Sequence, residues 1–349
     1  MQETKIPCTM VEQGYSKGAC EVELKDGSLQ TACRATLKFE NNQYHRVISA
    51  AHLSRPEDYF SIYQSGCNHN CLKCHSWEFS KFFNGLWYST DEIAIMCKNY
   101  QKDVTVFEPR ERSLMFYAND LCKHCGSCIL FKKRSPLCPN KLSKDQIVLG
   151  PQGFGPARNI AAFTGGDIAC QAEFYVEVTK KIKEKCEDLW VLLETNGFGL
   201  TPKNLNIFQK AGLDSYWLDI KAYDVDIYKK LCGCSNKTVL NAPKEIIIRN
   251  FNLEILTVYI PNLIEVDQFQ KIAELIVSID DQIPFHILAF FPQYKLIKFR
   301  APLLEEIIET YEVVKEIGLK QIQIGNIGVF AKTEDQIKTL IRTVGPDTI

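Results

Sequence analysis

The sequence has 349 residues, of which 46% are hydrophobic and 24% are charged, a balance that excludes intrinsically disordered and fibrous classes. Its 41 Lys and Arg residues against 42 Asp and Glu residues give a net charge of -1, so no overall field favours nucleic acid or an anionic membrane as a partner. The apolar runs are shorter than the ~18 residues of a membrane span, and the N-terminus lacks the apolar segment of a secretory signal. We therefore expect a cytoplasmic protein.

The first predicted elements are short strands between residues 19 and 50. Their alternating pattern breaks at Asp26-Gly27 and at Asn41-Asn42, and such dipeptides favour tight hairpin turns. Residues 1–58 are therefore predicted to form a small β-rich N-terminal module.

A different pattern begins at Tyr59, where seven apolar strand-like runs alternate with segments of helical period. Repeated βα units are typical of a parallel sheet with right-handed crossovers, so we predict an α/β barrel-like domain over residues 59–330. The pattern is interrupted at residues 101–158, which lack strand-like runs and are predicted to be an insertion. Residues 331–349 are predicted to form a C-terminal helix.

Fifteen cysteines exceed what packing requires, and a reducing compartment disfavours a disulfide framework, so their number indicates metal or redox chemistry. Eight of them are scattered. We interpret Cys97, Cys170 and Cys186 as core residues in helical stretches, and the C-x-C pair of Cys232 and Cys234 as a coincidence. The remaining seven form two clusters.

The first cluster is the loop SGCNHNCLKCHS, in which Cys67, Cys71 and Cys74 have the spacing C-x3-C-x2-C. Three thiolates on a short loop can bind three irons of a cubane cluster and leave the fourth iron open. The alternative is a zinc knuckle, but zinc usually takes four ligands and no neighbouring pair completes this set. The spacing therefore favours a 4Fe-4S cluster.

The second cluster lies in the predicted insertion and consists of Cys122, Cys125, Cys128 and Cys138. The C-x2-C-x2-C run with a later Cys-Pro is similar to ferredoxin patterns and predicts a second, auxiliary 4Fe-4S cluster, with a zinc site as the alternative. Between Leu121 and Lys144 there are six basic and no acidic residues. We interpret this segment as a solvated lysine-rich surface, with three alternatives: it offsets the negative charge of the cluster, docks an acidic electron donor or contacts phosphate.

Polar and glycine residues follow three of the strand-like runs, where a parallel barrel places its reactive groups. Gly165, Gly166 and Asp167 follow the second run; Glu194 and Thr195 end the third, and Asp219 and Lys221 end the fourth. Paired glycines permit close approach of backbone to a ligand, and the carboxylate that follows can bind an ammonium group. We predict that these residues converge beside the first cysteine loop.

Taken together, these motifs resemble the radical S-adenosylmethionine (SAM) superfamily, whose signature is the C-x3-C-x2-C loop after the first strand. The segments LETNGFG, WLDIKAYDVDIYKKLCGCSN and FFPQYKL look like those of the pyruvate formate-lyase activating enzyme family, over roughly residues 60 to 330. The resemblance implies a partial (β/α) barrel, a SAM-binding 4Fe-4S cluster on the first cysteine loop and, in the insertion, an auxiliary cluster.

The same resemblance assigns cofactor-binding roles to residues at the strand ends. Gly165, Gly166 and Asp167 match the motif that binds the SAM amino group, Glu194, Thr195 and Asp219 match positions that bind a monovalent cation, and Lys221 matches a basic residue near the SAM carboxylate. Four residues depart from the family pattern. Asp167 stands in place of Glu, Glu194 in place of Asp, Tyr294 in place of His, and Lys73 in place of the aromatic residue near the adenine.

The function implied is that of an anaerobic oxidoreductase that reductively cleaves SAM to a 5'-deoxyadenosyl radical. The radical abstracts hydrogen from a substrate, and the leading hypothesis is a glycine of a partner glycyl radical enzyme, with a ferredoxin or flavodoxin as electron donor. One alternative is modification of a small molecule, a peptide or RNA. Another, of a different class, is a non-catalytic iron-sulfur electron carrier or a zinc protein.

Overall fold

The computed structural model describes residues 6–349, and residues 1–5 of the predicted N-terminal module lie outside the described residues. The strands are β1 (Glu21–Glu23), β2 (Leu29–Thr31), β3 (Leu37–Glu40), β4 (Gln43–Leu53), β5 (Phe60–Gln64), β6 (Leu86–Ser89), β7 (Val148–Gly150), β8 (Gly153–Gly155), β9 (Ile160–Gly165), β10 (Trp190–Thr195), β11 (Ser215–Asp219), β12 (Asn252–Tyr259), β13 (Phe285–Ala289) and β14 (Ile322–Gly325). The α-helices are α1 (Thr9–Glu12), α2 (Ala32–Thr36), α3 (Trp77–Ser80), α4 (Thr90–Gln101), α5 (Ser127–Leu130), α6 (Ala172–Lys185), α7 (Pro202–Ala211), α8 (Val225–Cys232), α9 (Lys237–Ile247), α10 (Val266–Val277), α11 (Leu304–Ile317) and α12 (Glu334–Val344).

The central feature is a sheet in the order β14, β13, β12, β11, β10, β9, β5, β4, β3, with β6 paired to β4. The seven strands β5 and β9 to β14 are all parallel, and helical segments connect them in chain order. Among residues 6–349, no pairing joins β14 to β3, so the sheet is not a closed barrel. The predicted α/β fold with a parallel sheet is confirmed.

The two predicted hairpins are also confirmed. Strands β1 and β2 pair antiparallel around Asp26-Gly27, and β3 and β4 pair around Asn41-Asn42. Asn41 and Asn42 have φ values of 53° and 61°, the left-handed conformation that a two-residue type I′ turn requires. Because β4 pairs antiparallel with β5, this N-terminal hairpin continues the parallel sheet instead of forming a separate one.

The inner face of the sheet carries one row of side chains across five neighbouring strands. The register places Tyr63 beside Thr164, Glu194 beside Trp217, and Trp217 beside Glu254. Thr164 donates its hydroxyl hydrogen bond to Glu194, which joins the two halves of the row. The amphipathic helices cover the opposite face and bury most of the apolar side chains in one large core. The inner row therefore lies on the face of the sheet opposite these helices.

The predicted insertion lies between α4 and β9 and has little regular structure, although β7 and β8 form a hairpin there that the sequence pattern does not show. Its 3-10 turn Met115–Asp120 is held at the amino-terminal half of the parallel strands. The backbone N–H groups of Met115 and Phe116 donate to the buried Glu254 carboxylate at 2.6 and 2.8 Å. No helix within residues 6–349 combines the length and the hydrophobicity needed to cross a membrane.

Candidate iron-sulfur and SAM site

The first cysteine loop follows β5 and is held by backbone hydrogen bonds on two sides. The N–H of Asn68 donates to the carbonyl of Asp167 at 2.8 Å, and the N–H of Asn70 donates to the carbonyl of Cys232 at 2.9 Å. Gly66 turns the chain out of the strand with φ of 77°, where a Cβ atom would lie 2.8 Å from the Thr36 hydroxyl. The loop is therefore fixed between the ends of β9 and α8.

The three predicted cluster ligands lie on this loop with Cys71 buried and Cys67 and Cys74 partly buried. Burial raises the pKa of Cys67 to about 11, whereas a thiol hydrogen bond with Cys232, with Lys221 and Lys81 nearby, lowers the pKa of Cys71 to about 7. The amide nitrogen of Asn196 lies 3.7 Å from the Cys67 sulfur. Two neighbouring cations and one amide donor suit a negatively charged thiolate site.

The donor set of this loop fits an iron-sulfur cluster, because three soft sulfur ligands share one short segment beside cationic side chains. In the described part of the chain, no three His, Cys, Asp or Glu side chains stand close enough to hold a single metal ion. Cys67, Cys71 and Cys74 share one loop, but their sulfur atoms do not converge as a metal site, and their role as ligands stays a prediction.

Asp167 joins the Gly-Gly-Asp loop to the end of β10. Its buried carboxylate accepts hydrogen bonds from the Ala169 N–H at 2.6 Å, the Thr195 hydroxyl at 2.7 Å and the Asn196 N–H at 2.9 Å. Burial raises the pKa of this carboxyl group. Asp167 and Thr195 therefore lie together as expected, but their side chains are hydrogen-bonded to each other. Their predicted contact with the SAM amino group or with a cation stays a prediction.

Arg46 is a buried site residue that sequence reasoning missed. Its side chain is completely buried, and one terminal nitrogen donates to the carbonyls of Gly66 and Gly166 at 3.2 and 3.3 Å. The other donates to the carbonyl and hydroxyl of Thr36. Arg46 thus connects the cysteine loop to the Gly-Gly-Asp loop. It lies in an alternating hairpin strand, where an arginine ordinarily faces solvent, so the pattern held no signal for it.

Glu194 and Asp219 have different hydrogen-bond partners, and their predicted convergence on a cation stays a prediction. Glu194 accepts hydrogen bonds from the Tyr59 hydroxyl at 2.9 Å and from the Thr164 hydroxyl. Burial and the nearby Glu57 raise the pKa of Glu194 to about 8. The register places Glu194 beside Trp217, two residues before Asp219.

Asp219 and Lys221 form an ion pair at the end of β11, near Cys71. One carboxylate oxygen of Asp219, Oδ1, is buried and has no hydrogen-bond partner within the described residues. An unpaired buried oxygen of this kind requires a donor or a cation. The predicted monovalent cation therefore has one free oxygen at this end of the sheet, and its binding stays a prediction.

Aromatic side chains lie over the cysteine loop although Lys73 stands in the expected aromatic position. The Lys73 ammonium lies 4.7 Å from the centre of the Phe291 ring, and His75 packs edge-on against the same ring. Trp77 stacks on Tyr294 with ring centres 5.3 Å apart. The aromatic surface missing from the loop itself is thus supplied by the segment after β13 and by α3.

The second cysteine set lies at the opposite end of the parallel strands. The His124 ring nitrogen Nε2 lies 2.9 Å from the Asp58 carboxylate. Asp58 precedes β5, whereas the first cysteine loop follows β5. Cys125 is exposed, and Cys122, Cys128 and Cys138 are partly buried. Burial raises the pKa of Cys122 to about 11, and Arg134 donates to the Cys138 sulfur at 3.5 Å. The auxiliary cluster stays a prediction, but its place is remote from the first loop.

Two of the scattered cysteines lie near the first loop. Cys232 and Cys234 run beside residues 69–72, and Cys234 lies 3.5 Å from the His69 ring nitrogen, while the interpretation of their C-x-C spacing as a coincidence stays a prediction. Cys97, Cys170 and Cys186 are buried, which confirms them as core residues, but Cys170 lies in the loop before α6 and Cys186 just after that helix, contrary to the helical positions expected. Cys232 and Cys234 are far from the first loop along the chain, so the sequence pattern could not predict that they lie beside it.

Comparison with known proteins gives one family and one relative in sequence. The radical SAM superfamily profile matches residues 118–276, a range that begins after the first cysteine loop. A protein of Methanocaldococcus jannaschii named "Putative glycyl-radical enzyme activating enzyme" is 30% identical over 215 residues, which is 60% of this chain and 76% of the relative. The match in sequence thus extends over most of the relative.

Solved structures with similar folds include a domain of pyruvate-formate lyase-activating enzyme from Bacteroides vulgatus, with 16% identity and a TM-score of 0.41. It covers 47% of this chain and 98% of that domain. Coproporphyrinogen III oxidase from Escherichia coli has 13% identity and a TM-score of 0.38, and covers 48% of this chain and 42% of that enzyme.

Proposed function

The chain belongs to the radical SAM superfamily, and from this premise we propose that it is an enzyme that cleaves SAM reductively and activates a glycyl radical enzyme. The substrate atom in this proposal is a backbone glycine hydrogen of the partner enzyme. The observation that carries the proposal is the 30% identity to a relative named as an activating enzyme, over 76% of that relative. The position of the cysteine loop beside Asp167 and Lys221 supports it.

Each part of the site has a role in this proposal. Cys67, Cys71 and Cys74 would hold a 4Fe-4S cluster, which supplies one-electron reduction of a bound sulfonium. Gly165 and Gly166 would let the SAM amino group approach the backbone. Lys221 is placed to offset the charge of the SAM carboxylate or of the thiolates.

The inner row of the sheet supports a substrate that carries a hydrogen-bond acceptor. The row includes Glu194 and Glu254, and the His286 ring lies 2.9 Å from the Glu254 carboxylate. The Trp217 indole N–H is buried and unpaired within residues 6–349, so it is free to donate to a carbonyl. The carbonyl groups of a peptide backbone meet this condition.

The predicted auxiliary cluster suits an electron-transfer role at the other end of the strands. Cys125 is exposed there, and the surrounding segment carries six basic and no acidic residues. A small acidic donor of the ferredoxin or flavodoxin type would find a complementary surface. We assign this end to electron entry and the Cys67 end to SAM.

The test of the proposed function is anaerobic reconstitution with iron and sulfide, reduction, and measurement of 5'-deoxyadenosine. Wild type should produce it, and Cys71→Ala should reduce the yield to background, because one corner ligand is lost. Cys8→Ala is the matched control, since Cys8 is exposed and outside both clusters. A normal yield from Cys71→Ala would contradict the proposal, and no yield from wild type would favour the electron-carrier alternative.

A second candidate is modification of a small molecule or peptide. It is favoured by Glu194, which stands where the activating enzymes have Asp and accepts hydrogen bonds from the Tyr59 and Thr164 hydroxyls. Deuterium labelling separates the two candidates. Transfer of deuterium from a labelled glycine of a co-expressed glycyl radical enzyme into 5'-deoxyadenosine supports activation, and its absence alongside SAM cleavage supports the second candidate.

A further inference from the structure

A pair of thiols that the proposed function does not use lies beside the Gly-Gly-Asp loop. Cys33 is in α2 and Cys170 is in the loop between β9 and α6, 137 residues further along the chain. Their sulfur atoms are 3.9 Å apart. This is close to the separation at which two thiols can form a disulfide after a small movement. Neither cysteine belongs to the two predicted clusters.

The two thiols have different surroundings. Cys33 is half-buried and Cys170 is buried. The hydrogen bond with Cys170, followed by contributions from Gln171 and the Arg46 guanidinium, lowers the pKa of Cys33. The same hydrogen bond and burial raise the pKa of Cys170. A reactive thiolate therefore forms first at Cys33, where a cation and a hydrogen-bond donor stabilise it.

The pair is also connected to the site. Cys170 follows Asp167 by three residues, and Arg46, which is near Cys33, binds the carbonyls of Gly66 and Gly166. The N-terminal segment covers the loop, since Gln171 donates its amide to the Pro7 carbonyl at 2.9 Å. A movement of Cys170 toward α2 therefore moves the loop that carries Asp167.

We propose that Cys33 and Cys170 form a regulatory disulfide by exchange with a small oxidised disulfide of the glutathione class. The Cys33 thiolate attacks one sulfur of the oxidant, which breaks its S–S bond and releases one thiolate. Cys170, deprotonated in turn, attacks the Cys33 sulfur of the mixed disulfide and releases the second thiolate. Two electrons pass to the oxidant, and the two thiol protons pass to the released thiolates.

Closure to a disulfide shortens the sulfur separation from 3.9 Å by about 2 Å. The loop that carries Asp167 shares this movement with α2 and the two side chains, and misplacement of about 1 Å at such a site is enough to weaken function strongly. We expect the oxidised protein to bind SAM at least about tenfold more weakly. This consequence rests on the proposed function, whereas the disulfide itself does not.

The experiment uses the full chain, reconstituted anaerobically and treated with excess oxidised glutathione without oxygen. Free thiols are then alkylated, and peptides are mapped by mass spectrometry without reduction. We expect a Cys33 to Cys170 cross-link as the main disulfide, with iron content unchanged. In Cys170→Ser a glutathione adduct should accumulate on Cys33, and in Cys33→Ser the buried Cys170 should remain a free thiol. Cys8→Ser is the matched control and should keep the cross-link.

The proposal is overturned if Cys33 and Cys170 are alkylated to the same extent as the buried Cys97, or if the cross-link forms without change in SAM binding by equilibrium dialysis. If Cys33→Ser folds poorly, the glutathione adduct expected on Cys33 in the Cys170→Ser protein still tests the proposal. The cross-link is measured independently of 5'-deoxyadenosine, so failure of the proposed function and failure of this proposal are distinguishable.

Discussion

The carboxylate of Asp167 accepts a hydrogen bond from the hydroxyl of Thr195 at 2.7 Å, which fastens the loop after β9 to the end of β10. With the Ala169 and Asn196 N–H groups, the carboxylate has three donors, all in a buried environment. A buried donor that loses its acceptor costs roughly 1–3 kcal/mol. This side chain therefore contributes three of the hydrogen bonds that position the Gly-Gly-Asp loop.

The first prediction concerns this side chain. Asp167→Ala should lower the free energy of unfolding by about 2 kcal/mol or more, because three donors lose their acceptor. SAM binding should weaken with it. Urea unfolding and equilibrium dialysis measure the two effects, and Asp226→Ala on the exposed face of α8 is the matched control. An unchanged midpoint in urea would show that the loop is held by other contacts.

The second prediction concerns Arg46. Arg46→Met should destabilise the protein by about 1.5–3 kcal/mol, since charged hydrogen bonds to the carbonyls of Gly66 and Gly166 are lost. Arg46→Lys should not restore it, because a single ammonium cannot reproduce the fork of the guanidinium. Iron content after reconstitution should fall in both variants. Exposed Arg34→Lys in the same module is the control. Full iron content in Arg46→Met would remove Arg46 as a positioning residue of the cysteine loop.

The third prediction is the pH dependence of stability caused by Glu194. Its pKa in the folded protein is raised to about 8, above an ordinary value near 4.5, so the folded state binds more protons than the unfolded state between these pH values. The contribution of protonated Glu194 to the free energy of unfolding is complete below about pH 4.5, and it is lost as the pH rises toward 8. Wild type should lose stability between pH 6 and pH 8.5 relative to Glu194→Gln.

Urea unfolding at the two pH values measures this difference, with exposed Glu187→Gln as the control. The neighbouring Glu57 and Glu254 both raise the pKa of Glu194, and burial raises the pKa of Tyr59, so these neighbours do not reverse the sign. Parallel pH profiles for wild type and Glu194→Gln would show that Glu194 is ionised in the folded protein.

The fourth prediction concerns the two cysteine sets. If both hold cubane clusters, reconstituted protein should bind about eight irons, and replacing Cys122, Cys125 and Cys128 by Ala should leave about four. Because the sets lie at opposite ends of the strands, the remaining cluster should still support SAM cleavage with a chemical reductant. Iron and zinc analysis checks the result. Zinc without iron at the second set would assign it to the structural alternative.

The fifth prediction concerns a monovalent cation at the end of β11. The unpaired Oδ1 atom of Asp219 offers one hard oxygen ligand, so added potassium or sodium at constant ionic strength should strengthen SAM binding. Asp219→Ala should weaken binding and abolish the response. Binding titrations of both proteins in each salt decide the matter, with Asp226→Ala as the control. Equal affinity and equal salt response in wild type and Asp219→Ala would eliminate the site.

The elements of the fold follow from the sequence because their causes are local. The seven strand-like runs and the helices between them were set by apolar periodicity, and the hairpins by Asp26-Gly27 and Asn41-Asn42. The spacing of Cys67, Cys71 and Cys74 is equally local. Parallel strand ends meet at one edge, so the neighbourhood of Asp167, Thr195 and the cysteine loop could also be anticipated.

The tertiary structure alone decided contacts between residues far apart in the chain. The fold brought the Tyr59 hydroxyl to Glu194, and strand pairing buried Arg46 beside two glycine carbonyls. Packing of α2 against the loop after β9 brought Cys33 to Cys170. Each of these contacts depends on how elements that are distant in the sequence pack against each other. Residue type and spacing within one segment do not determine that packing.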